Sequence, residues 1–150
     1  QSDAPRLWAR AESVLTGPPA RDREERALGL ATIGIMRYDR GEREEARRLF
    51  RLAHEASPHP RRLVEWGLVA SLAGRPDEAL SYYEQAVVLK PDLVPAWTGV
   101  LESAGALGDT TRVGAAVRAL ERLDPSAPVL AEARAWLDAR AHPSQRTAPP

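Results

Sequence analysis

The 150-residue chain contains no cysteine, no asparagine and a single lysine, Lys90. Without cysteine it has no disulfide, no thiolate ligand for zinc and no cysteine nucleophile. Basic and acidic residues both number 21, so the formal net charge is zero. Because no excess of positive charge is present to attract phosphate groups, we do not expect nucleic acid or an anionic lipid surface as a partner.

Long apolar runs and aromatic residues are also scarce. Aromatic residues make up 5% of the chain, and no uninterrupted apolar run approaches the ~18 residues that a membrane-spanning helix needs. The sequence begins at Gln1 rather than at a methionine, which leads us to expect a further segment upstream. We therefore expect any membrane association to be indirect, through that segment or through a partner.

The residues that commonly carry catalysis or bind metal do not form a recognisable motif. Lys90 is followed by Pro91, which does not fit a phosphate-binding loop. The only histidines, His54, His59 and His142, lack the spacing of metal ligands on one helix face. No serine lies in a Gly-x-Ser-x-Gly motif. We therefore expect neither an enzyme nor a metal, cofactor or small-molecule site.

An internal repeat organises most of the chain. The segment 41–58 recurs at 74–91, which is a period of 33 residues, and a weaker third copy follows 34 residues later. The matched pairs are Gly34 and Gly67, Gly41 and Gly74, Ala46 and Ala79, Phe50 and Tyr83, Ala53 and Ala86, and Pro58 and Pro91. In the third copy, Leu101 stands where a small residue is expected. The glycines after each apolar run predict helix ends with positive φ, and the prolines predict helix stops.

At these residues the chain resembles the tetratricopeptide repeat family over residues 28–125. The resemblance implies an all-α fold, a right-handed αα-solenoid of about three helical hairpins in the repeats 27–59, 60–93 and 94–127. The helices are predicted at 28–40 and 43–57, at 60–73 and 76–89, and at 94–107 and 110–123. We expect Gly67 to lie against Ala79 where two helices cross, with Tyr83 filling the gap beside the next helix, and the tryptophans to fill the core.

The flanking sequences predict two further helices and a tail. Residues 5–15 carry an apolar stripe typical of an orphan helix, and residues 128–141 are typical of a terminal capping helix with one apolar face. We therefore predict one domain over residues 1–141. The Pro-rich stretch 142–150 cannot build a core, and we expect it to dock as an extended segment on a neighbouring chain.

The resemblance also implies a binding groove, because in this family the first helix of each hairpin lines a concave surface. The candidate groove residues are Ala31, Ile35, Tyr38, Val64, Leu68, Leu72, Thr98 and Glu102. Family members that grip the carboxyl terminus of chaperones use lysine and asparagine at such positions, which this chain lacks. A mostly apolar groove suits a helix or an extended segment of a partner protein, or the chain's own flanking helices.

Two functions follow from this sequence. The first is a non-catalytic protein–protein interaction module, a scaffold or assembly subunit of a bacterial complex that holds a partner polypeptide in the groove. The alternative is a permanent structural subunit of a periplasmic or membrane-associated complex, bound through its outer surface and termini. The first residue, Gln1, and the Pro-rich tail favour a periplasmic or membrane-associated location over a cytoplasmic one.

Overall fold

A computed structural model of the chain describes residues 22–142, together with the single positions Arg6, Ala9 and Ser13. The described residues form seven helices and no strand, so the all-α prediction is confirmed. The helices are α1 Arg23–Asp39, α2 Arg43–Ala56, α3 Pro60–Leu72, α4 Pro76–Leu89, α5 Val94–Leu107, α6 Thr110–Leu123 and α7 Val129–Ala141. Of the predicted helix 5–15, only Arg6, Ala9 and Ser13 are described, and all three are helical; the tail beyond His142 lies outside the described residues.

Five of the six repeat helices begin at the predicted residue, and all six end within one residue of the predicted end. The exception is α1, which begins at Arg23 instead of residue 28. Asp22 explains the earlier start, because its side chain accepts a hydrogen bond from the Glu24 backbone N–H at 2.9 Å and so caps the helix. Glu24 and Glu25 in the first turn also interact favourably with the helix dipole.

The turns within the three hairpins share one geometry. Gly41, Gly74 and Gly108 have φ angles of 80°, 69° and 73°, as the sequence predicts. After each glycine, the next backbone N–H donates to the carbonyl five residues earlier, which is the Schellman motif that closes a helix end. These bonds run from Glu42 to Arg37 at 3.0 Å, from Arg75 to Ala70 at 2.9 Å and from Asp109 to Ala104 at 2.9 Å.

The chain divides into two compact units, one ending at Arg62 and the other beginning at Leu63. In the first unit, α1 packs against α2. Gly34 lies so close to Phe50 that a Cβ at position 34 would stand 2.5 Å from the ring atom Cε1. The two atoms nearest to that position therefore both belong to the Phe50 ring.

In the second unit, α5 packs against α4 and α6, and α6 packs against α7. The ring of Tyr83, on α4, lies between Gly67 of α3 and Gly99 of α5. A Cβ added at Gly67 would stand 2.7 Å from Tyr83 Cε1, and one added at Gly99 would stand closer still. The prediction placed Ala79 against Gly67, but the three nearest atoms are all from Tyr83, because the large ring fills the space that the two glycines leave.

A charged cluster joins the start of α1 to the loop between α2 and α3 within the first unit. The Glu24 carboxylate accepts hydrogen bonds from Arg62 Nη1 and from Ser57 Oγ, each at 2.5 Å. Arg62 is 8% exposed and also donates to the Ser57 carbonyl. The hydrogen bonds from Arg62 and then Ser57 lower the pKa of Glu24 from its ordinary 4.5 to about 2.

Two glycines of α5 provide a matched test of the crossing at Tyr83. Replacing Gly99 by alanine should lower the free energy of unfolding by about 1–3 kcal/mol, because the new methyl group overlaps the buried ring. Replacing Gly105, whose Cβ would meet nothing within 4 Å, should raise it by about 0.5–1 kcal/mol, because alanine favours the helix. Urea unfolding measures both values, and equal effects at the two sites would contradict the packing of Tyr83 against Gly99.

The Glu24 cluster predicts a pH-dependent contribution to stability. Glu24→Gln should lower the free energy of unfolding by about 1 kcal/mol at neutral pH, since half of the Glu24 side chain is exposed and solvent screens the pair. Because the pKa is depressed in the folded state, the difference from the parent should be full above pH 4.5 and should vanish as the pH falls towards 2. Urea unfolding across this range measures the difference, with Glu55→Gln, which removes an exposed carboxylate outside the cluster, as the control that should show no such loss.

Candidate functional site

In the first unit, two of the three predicted groove residues are buried. Ala31 is 3% exposed and Tyr38 is 5% exposed, and the Tyr38 ring stacks on Phe50 with 6.5 Å between centroids. Ile35 is half-buried. Ala31 and Tyr38 thus belong to the core of the first unit and not to an open groove. The apolar spacing predicted a buried or binding face of α1, and it could not distinguish between the two.

The equivalent helix of the second unit exposes its apolar side chains. Val64 is half-buried, Leu68 is 52% exposed and Leu72 is 81% exposed. The spacing of four residues places these three side chains on one face of α3. Ser71 is exposed next to Leu72 and follows Leu68 by three residues, so it lies on the same face. This face of α3 is the most exposed apolar part of the predicted groove.

The two predicted groove residues of α5 differ in whether their polar groups already have a partner. Thr98 is half-buried, and its hydroxyl donates to the Val94 carbonyl at 3.1 Å, which satisfies it within its own helix. Glu102 is exposed, and among the described residues it has no ion-pair partner. Glu102 is therefore the residue of α5 with an uncommitted charge.

The Tyr83 hydroxyl connects these faces of α3 and α5. Burial raises the pKa of Tyr83, the hydrogen bond with the Ser71 side chain lowers it, and the negative charge of Glu102 raises it again. Ser71 from α3 and Glu102 from α5 therefore lie near the same phenol. Leu68, Ser71 and Leu72 share one face of α3, and Ser71 and Glu102 both act on the Tyr83 phenol; we call Leu68, Ser71, Leu72 and Glu102 the α3–α5 surface.

A cavity of about 300 Å³ adjoins Glu102 on the side away from α3. It lies among α5, α6 and α7, and it is lined by Leu101, Glu102, Gly105, Val113, Val129, Glu132, Ala133 and Trp136. Sequence reasoning missed it and assigned Trp136 to the core, whereas the side chain is half-buried. The spacing of Glu132 and Trp136, four residues apart on the capping helix, was the signal that could have indicated it.

In the part of the chain that the structure describes, no three histidine or carboxylate side chains lie close enough together to hold a metal ion. No helix of residues 22–142 is long and apolar enough to cross a membrane. The arrangement of the α3–α5 surface and the cavity can bind a ligand through apolar contact and negative charge.

No protein-family model matches the chain, and no curated protein matches it.

The electrostatic link between Glu102 and Tyr83 can be tested directly. Glu102→Gln should move the pKa of Tyr83 down towards the ordinary value for tyrosine, because a negative charge that disfavours the phenolate is removed. The titration of the Tyr83 ring signals in NMR measures this shift. The control is Glu55→Gln, which removes an exposed carboxylate of the first unit, and an equal shift in both variants would contradict the proximity of Glu102.

Proposed function

We propose that this chain is a non-catalytic protein-binding module of tetratricopeptide-repeat type that holds a partner polypeptide on the α3–α5 surface. The observation that carries the proposal is the exposure of Leu68 and Leu72 on one helix face. Fully burying a leucine side chain contributes roughly 1.5–3 kcal/mol. Exposed apolar side chains that lie close together are a feature of protein–protein interaction sites.

The polar residues of the same surface support a polypeptide as the ligand. Ser71 and Glu102 stand beside the exposed leucines, so a bound helix or extended segment could pair polar groups at the rim while it buries apolar side chains between them. The repeat period of 33–34 residues and the three equivalent glycine turns support the family assignment within this proposal. Helical repeats of this kind present side chains from successive helices on a shared surface.

A second candidate function rests on a different exposed patch. Val88 is 79% exposed and Leu89 is 44% exposed, both at the end of α4. These residues lie on the second helix of their hairpin, and they favour the alternative of a permanent subunit bound through its outer surface. The two candidates therefore predict different contact residues.

Leu72 and Val88 provide a matched pair of variants because they are almost equally exposed. Under the proposal, Leu72→Asp should abolish co-purification of the partner from the native source, while Val88→Asp should leave it unchanged. Both variants should melt at the parent temperature, since an aspartate at an exposed position stays hydrated. Mass spectrometry of the co-purified proteins measures the outcome.

The reverse result, capture lost with Val88→Asp and kept with Leu72→Asp, would establish the outer-surface subunit instead. Capture by both variants at the parent level would contradict both candidates. Circular dichroism checks that each variant keeps the helix content of the parent, so that a loss of capture is not a loss of folding.

A further inference from the structure

The cavity among α5, α6 and α7 has a composition that selects for one kind of side chain. Most of its wall is apolar and is formed by Leu101, Val113, Val129, Ala133 and Trp136. Its volume of about 300 Å³ is at the lower end for pockets that hold small ligands, which are roughly 300–1,000 Å³. Such a wall suits the apolar stem of a long side chain.

Two carboxylates share this cavity, and both lack a partner within residues 22–142. Glu102 contributes from α5 and Glu132 from α7, and both are exposed. Some other carboxylates of the same unit are paired with arginine. The Arg112 Nε atom lies 2.6 Å from Glu84 Oε1, and Arg134 Nη2 lies 2.6 Å from Glu121 Oε1. Glu102 and Glu132 form no such pair among the described residues, so their carboxylates are available to a ligand in the cavity.

The aromatic wall of the cavity already holds a cation. The Arg140 guanidinium carbon lies 3.6 Å from the centroid of the Trp136 ring, which is a cation–π contact. Arg140 follows Trp136 by four residues on α7, so it lies above the ring one helical turn further on. This contact shows that the Trp136 ring can stack with a guanidinium, and it also restrains the orientation of the ring in the wall.

We propose that this cavity binds an arginine side chain of a partner polypeptide, an inference that rests on the proposed protein-binding function. The methylene stem lies against the apolar wall, and the guanidinium donates hydrogen bonds to Glu102 and Glu132. Arginine fits better than lysine, because the planar guanidinium pairs well with carboxylates and is more weakly hydrated than an ammonium group. Charged hydrogen bonds of this kind are stronger than neutral ones.

Other kinds of side chain would interact less favourably with the residues that line the cavity. An acidic side chain is repelled by both carboxylates. An apolar side chain fills the volume, but it removes water from the two carboxylates without replacing the lost hydrogen bonds, which is unfavourable. Arginine is the one natural side chain that combines a long apolar stem with several donors in a planar group.

The inference also assigns a direction to the bound segment. Glu102 borders both the α3–α5 surface and the cavity, so a partner that buries apolar side chains against Leu68 and Leu72 would place its arginine beyond them, towards α7. The partner is thus expected to carry apolar residues followed or preceded by one arginine. A shared residue between the two surfaces allows one ligand to use both.

The test uses the full chain and a defined probe, N-acetyl-arginine methylamide, titrated while the indole N–H signal of Trp136 is followed by NMR. We expect a saturable shift of that signal. N-acetyl-citrulline methylamide, which has nearly the same shape but no charge, should bind at least tenfold more weakly. The corresponding lysine amide should bind more weakly than the arginine amide. Binding of citrulline as tight as that of arginine, or no saturable shift, would overturn the inference.

Matched double variants separate the cavity from general charge effects. Glu102→Gln with Glu132→Gln should weaken arginine binding at least tenfold. Glu55→Gln with Glu65→Gln removes two exposed carboxylates that do not line the cavity, and it should leave binding within twofold of the parent. Equal affinities in the two double variants would overturn the assignment of the carboxylates.

One further variant distinguishes this inference from the proposed function. Leu72→Asp lies outside the cavity lining, so it should keep the affinity for the arginine amide while it loses the native partner. Suppose that Leu72→Asp still captures the native partner and that the parent binds the arginine amide. The proposed binding surface is then wrong, and the cavity remains an arginine site. If the variant loses the partner and the parent does not bind the amide, only the cavity inference is wrong.

Discussion

The packing of one aromatic ring against glycine backbone controls how the helices approach one another. In the second unit, Tyr83 lies between Gly67 and Gly99, and a side chain at either glycine would overlap the ring. In the first unit, Phe50 covers Gly34 in the same way. The ring provides the buried apolar area, and the glycines provide the space for it. Exchanging the large and small residues across the crossing would require a different helix separation.

This packing also determines which side chains are exposed on the α3–α5 surface. Because the Tyr83 ring passes between α3 and α5, its hydroxyl reaches the neighbourhood of Ser71 and Glu102. The apolar side chains of α3 that the ring does not cover, Leu68 and Leu72, stay exposed. The same contact that holds three helices together therefore leaves an apolar patch with polar residues beside it. The packing of the core and the exposure of the candidate binding surface therefore depend on the same helix contacts.

Some charged side chains of this protein stabilise the fold, and others are available to bind a ligand. The net charge is zero, yet the charges are not evenly paired. Glu24 is paired with the buried Arg62, which ties the start of α1 to the first turn of α3. Glu102 and Glu132, in contrast, face a cavity with no basic partner among the described residues. Neutrality of the whole chain thus leaves room for a locally acidic site, which composition alone does not reveal.

Local signals in the sequence are sufficient to predict the helices and the turns between them. The period of 33–34 residues, the positive φ of Gly41, Gly74 and Gly108, and nearly all helix ends could be predicted, because they depend on interactions within a few residues along the chain. The early start of α1 at Arg23 was also a local signal, from the Asp22 cap, but the repeat alignment led to a later start. The resemblance to the tetratricopeptide repeat family rests on this same local pattern.

Which of the equivalent positions are buried depends on the packing of the helices and could not be predicted from the repeat pattern. Tyr38 and Ser71 occupy the same place in the repeat, yet Tyr38 is in the core and Ser71 is exposed. The atoms nearest to Gly67 likewise belong to Tyr83, and the cavity at Glu102 and Glu132 joins residues from separate helices. Burial depends on which distant segments pack against a residue. A periodic pattern tells which face of a helix is apolar, but not whether that face meets the core or a partner.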